Sequence, residues 1–68
     1  MDTTIYSYTV YTKRRGRKRA TACGIITDDL DRAKDIAHRE RASWFGMNGI
    51  YEWIKVRDRQ TGKYIYEA

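Results

Sequence analysis

Proline is absent, and cysteine and histidine occur once each, at Cys23 and His38. A single cysteine excludes the disulfide framework on which small secreted domains depend, so the expected compartment is the cytoplasm, or the host cytoplasm if the chain is phage-encoded. One cysteine and one histidine, parted by a strand end and half a helix, match no zinc spacing, and no metal or other cofactor is expected. The longest apolar run falls far short of a bilayer span. The N-terminus has no basic stretch leading into an apolar one, so no signal peptide and no membrane association are expected. Glycine-rich phosphate loops, a nucleophile elbow and paired carboxylates are all missing. With 68 residues there is room for one thin core and little for a deep pocket with its supporting residues. These absences make an enzyme an unexpected reading.

What is present argues for a folded single domain covering residues 1–68. Aromatic residues, chiefly six tyrosines and two tryptophans, make up 13% of the chain, more than a disordered chain of this polarity carries. Fourteen Lys and Arg against nine Asp and Glu leave a net charge of +5. An excess of that size on a small body attracts polyanions or acidic surfaces.

The order of elements reads as β-β-α-β-β. Residues 5–13 (IYSYTVYTK) are rich in Tyr, Thr and Val and form a strand, with Tyr6, Tyr8 and Val10 on one face and Ile5, Ser7, Thr9 and Tyr11 on the other. Six cations around Gly16, from Lys13 to Arg19, make a hairpin loop, and residues 20–27 (ATACGIIT) return as a second strand. Gly24 in that strand marks a bulge or a close approach by the helix. Thr27 or Asp28 supplies an N-cap, and Asp28, Asp29 and Asp31 suit the positive end of a helix dipole. Leu30, Ala33, Ile36, Ala37 and Trp44 then recur at helical spacing, predicting a helix over 28–45 that ends at a left-handed Gly46. Residues 50–57 (IYEWIKVR) alternate as a strand, Asp58 to Gly62 signal a turn, and residues 63–67 close a hairpin. One helix with one apolar stripe covers one sheet face. The expected fold is therefore α+β, an antiparallel sheet of three or four strands with one helix on one face.

Ile54, Val56 and Ile65 are expected beneath the helix. Tyr51, Trp53, Lys55, Arg57, Tyr64 and Tyr66 are expected on the uncovered face. Two features carry binding chemistry. Lys13, Arg14, Arg15, Arg17, Lys18 and Arg19 form a cationic loop suited to phosphates. The uncovered face interleaves rings with cations, as nucleic-acid-binding sheets do. The expected function is a non-enzymatic module that binds DNA or RNA through Lys13, Arg14, Arg15, Arg17, Lys18, Arg19, Tyr51, Trp53, Lys55, Arg57 and Tyr64. The alternative is a small phage or mobile-element interaction protein that inhibits a host protein or defence complex by blocking a site. A homodimer through the uncovered face or an edge strand is a third arrangement. The outer face of the helix mixes Asp31, Arg32, Lys34, Asp35, His38 and Arg39, which reads as a solvated surface. Cys23 reads as a small buried hydrophobe.

Overall fold

A computed structural model describes residues 7–68, the side chain of Ile25 excepted. Four strands are found among these residues: β1 (Tyr8–Arg14), β2 (Thr21–Thr27), β3 (Tyr51–Asp58) and β4 (Lys63–Glu67). They form one antiparallel sheet in the order β2-β1-β3-β4, which places β1 and β3 at the centre. The expected start of the first strand at Ile5, and the facing of Tyr6, lie outside the described residues. Helix α1 (Leu30–Arg41) crosses one face, and a single turn, α2 (Trp44–Met47), leads back to β3. The expected α+β fold with one main helix on an antiparallel sheet is the fold observed.

Burial explains the pairing of helix and sheet. Val10, Ile54 and Val56 are fully buried beneath Ala33 and Ala37. The two alanines add no bulk, so the helix axis sits close to the central strands, where burying each Val or Ile contributes about 1.5–3 kcal/mol. Asp29, in an extended conformation, caps α1: its carboxylate accepts from the Asp31 and Arg32 amides at 3.0 and 3.3 Å. The cap is thus one residue later than Asp28. Thr27 instead accepts from the Asp29 amide.

The single helix expected over 28–45 is two. α1 ends at Arg41 with Ala42 as its C-cap, and Ser43 begins a new turn by accepting from the Gly46 amide. Trp44 leaves the apolar stripe and is 67% exposed. Gly46 is not a left-handed terminator. It lies inside α2, where a Cβ would come within 2.1 Å of the Arg41 carbonyl oxygen, so its lack of a side chain lets α2 stack on the end of α1. The left-handed position falls at Gly49, with φ +69°.

Three irregularities reset the sheet. Between Thr9 and Tyr11 the pairing with β2 jumps from Ile26 to Ala22, around Gly24 at φ +85°. Glu52 is skipped between Lys13↔Trp53 and Arg14↔Tyr51. Ile65 is skipped between Val56↔Tyr66 and Arg57↔Tyr64. Each skipped residue breaks the two-residue alternation. Tyr51 and Tyr66 consequently turn to the helix side, correcting their expected place on the uncovered face. Ile65, expected beneath the helix, is 44% exposed.

Candidate nucleic-acid interface

The cationic loop is anchored at its base. Arg17 donates its amide to the Arg14 carbonyl at 3.1 Å, closing a turn with Gly16 at φ +83°. Arg15 ties the loop to the connector before β3: its amide reaches the Ile50 carbonyl at 2.9 Å and its Nε the Gly49 carbonyl at 2.7 Å. The Arg14 guanidinium lies 5.4 Å from the centre of the Phe45 ring. Beyond this base Arg17, Lys18 and Arg19 are exposed. Among the described residues the ion pairs are Lys13–Glu52 at 2.7 Å and Arg39–Asp35 at 3.2 Å, so no carboxylate engages the five cations from Arg14 to Arg19. The Lys13 ammonium holds the Glu52 carboxyl below its usual range.

On the uncovered side, Trp53, Lys55, Arg57 and Tyr64 do come together, joined by Tyr11. The rings are occupied by the protein's own cations. Lys55 Nζ sits 4.7 Å from the Trp53 ring centre and 5.6 Å from that of Tyr64. The Arg57 guanidinium lies 5.5 Å from Tyr11 and 5.9 Å from Tyr64. Tyr64 meets Tyr11 and Trp53 edge-on at 5.9 and 5.2 Å. The rings support the ammonium and guanidinium groups rather than lying open for base stacking. Lys13, opposite Trp53 in the register, stands on the same side with its ammonium bonded to Glu52.

Tyr51 does not belong to it. The ring is buried beneath the helix, and its hydroxyl donates to Glu40 Oε1 at 2.8 Å. Tyr66 likewise faces the helix, its hydroxyl 2.6 Å from His38 Nε2. Sequence alternation alone misplaces both residues because the bulges at Glu52 and Ile65 come between them and their neighbours.

No protein-family model, curated protein or solved structure matches this chain.

Two surfaces escape sequence reasoning. On the helix side, the loop, β2 and the C-terminal half of α1 enclose a cleft of about 450 Å³, whose lining includes Arg14, Arg17, Arg19, Ile36, Glu40 and Tyr51. Three loop arginines therefore face the helix side of the sheet, opposite to Lys55 and Arg57. The expectation that one ligand meets the whole loop and the ring-bearing face together is corrected accordingly: Arg14, Arg17 and Arg19 lie on the other side of the sheet from Lys55 and Arg57. The second surface is α2, where Trp44, Phe45 and Met47 are 67%, 40% and 77% exposed beside Arg14. The signal available for it was Ser43, a second N-cap inside the apparent helix.

Tyr51 gives the cleft a pH signature. Burial, together with the hydrogen bond to Glu40 and its charge, pushes the phenol up to about 12 from 10.0, although Arg14 acts in the opposite sense. A raised folded-state value means that the neutral phenol stabilises the fold. That contribution is complete below the unfolded value near 10 and disappears as pH climbs through about 12. Urea unfolding across this window is expected to show falling stability, with a smaller fall in Tyr51→Phe; parallel falls in the two proteins refute the assignment. Cys23 is half-buried against the core, and burial followed by the Glu40 charge raises its thiol. Among the described residues there is no group of three or more metal-ligating side chains, and no helix long and apolar enough to cross a membrane.

Proposed function

We propose that the chain is a non-enzymatic nucleic-acid-binding module in which the β1–β2 loop holds phosphates of DNA or RNA. The observation that supports this reading is the set of exposed loop cations with no carboxylate partner among the described residues. Like charges held this close repel one another, and a polyanion relieves that repulsion while releasing its own counterions. The anchoring of Arg15 favours binding further, because a loop fixed at its base loses less freedom when it is engaged. Lys55 and Arg57 add two cations on the opposite side of the sheet, each oriented over rings.

Fluorescence anisotropy with duplex and single-stranded DNA at several salt concentrations tests the reading. If all six loop cations contact a duplex, log K falls against log salt with a slope of about −5. Absence of affinity even at low salt refutes it. The alternative, a protein that blocks a partner, draws on a different surface: the exposed Trp44, Phe45 and Met47 form an apolar end beside Arg14. It takes precedence if nucleic acid does not bind.

A further inference from the structure

The helix-side cleft is not a uniform anion site. Its lining includes Arg14, Arg17 and Arg19, residues whose forked guanidinium donors match phosphate oxygens. Its wall carries a carboxylate, Glu40, held in place by the Tyr51 hydroxyl at 2.8 Å. None of the three arginines is within ion-pair distance of that carboxylate. An ionised carboxylate only accepts hydrogen bonds, so a simple phosphate or sulfate that fills the cleft is repelled by this wall. A ligand that suits both ends is anionic at one and rich in N–H donors at the other. Ile36 adds apolar surface to the lining. A volume of about 450 Å³ lies in the range of small-ligand pockets and is too small for a duplex.

Resting on the nucleic-acid reading above, we propose that this cleft takes one unpaired nucleotide, with its phosphate on the arginines and its base edge on Glu40. Guanine fits best. Its Watson–Crick edge sets a ring N–H beside an amino group, giving two donors for the two carboxylate oxygens. Cytosine and adenine offer the amino group alone, and thymine and uracil a single N–H between two carbonyl oxygens. The edge is free only in a single strand, loop or end, which makes the ligand unpaired. Tyr51 acts as a positioning residue for the carboxylate.

The test compares a short thymine-only strand with the same strand carrying one guanine, by anisotropy at low salt. The guanine strand is expected to bind roughly five- to a hundred-fold tighter, the discrimination of a good two-bond base contact. Glu40→Gln, which keeps an acceptor for Tyr51, is expected to lose this preference while retaining the salt dependence of the thymine strand. Amide shift mapping of the wild type with the guanine strand is expected to perturb Ile36 and Glu40 more than Lys55 and Tyr64, and it decides the matter even if the variant folds poorly. Equal affinity for the two strands overturns the cleft assignment and leaves phosphate binding by the loop intact, whereas shifts confined to the uncovered face overturn the cleft and the loop readings together. Failure of both strands to bind overturns the two readings together.

Discussion

Replacing Arg17, Lys18 and Arg19 with alanine is expected to weaken duplex binding by roughly 10²- to 10³-fold at about 0.1 M salt. The estimate follows from counterion release: each phosphate contact contributes about 0.9 to the log–log slope, so three contacts make it shallower by about 2.7. These three residues are the right choice because they are exposed and have no ion-pair partner among the described residues. Arg14 and Arg15 are poorer choices. One packs over Phe45 and the other bonds to Gly49, so changing them disturbs the fold as well as the charge. The thermal midpoint of the triple variant is expected to stay close to that of the wild type, since surface substitutions usually change stability by less than about 0.5 kcal/mol. A triple variant with undiminished affinity and an unchanged slope removes the loop from the interface.

Ile54→Ala is expected to have the largest effect on stability. Among the described residues, Ile54 is fully buried in a core of six, two of them alanines. Truncating such a side chain typically costs about 2–5 kcal/mol, from lost transfer energy and the cavity left behind. The loss is comparable with the whole stability of a domain this small, which at typical per-residue values is about 3–10 kcal/mol. Urea denaturation followed by tryptophan fluorescence is expected to show a midpoint near zero denaturant, or no folded baseline. A wild-type-like midpoint instead requires the core to be repacked around another residue.

Much of this architecture was legible in the residues. The strands, the cationic loop, the Asp58–Gly62 turn and the order of elements follow from alternation and turn chemistry. Asp58 behaves as such turns require, its carboxylate accepting the Gln60 amide at 2.9 Å while Gly62 takes φ +76°. What alternation cannot convey is a change of phase. Tyr51 looks like the partner of Trp53 by spacing, but the skipped Glu52 rotates it to the opposite side of the sheet. Tyr66 is displaced by Ile65 in the same way. The helix end was hidden for a related reason: Trp44 keeps helical spacing with Ala37, and only the Ser43 cap interrupts the chain there. The cleft is formed by segments distant in sequence, with Glu40 and Tyr51 joined across eleven positions and the loop arginines further off. No local pattern encodes such a meeting.

The kinks in β2 and β4 also bear on how copies of this molecule meet. Among the described residues these two strands are the margins of the sheet, where a neighbouring chain would add itself by backbone pairing. On one margin the ladder is interrupted around Gly24, and on the other at Ile65. A straight strand laid along either border finds only a few residues in phase before the match fails. Growth into ribbons or fibrils by backbone pairing is therefore discouraged on both flanks.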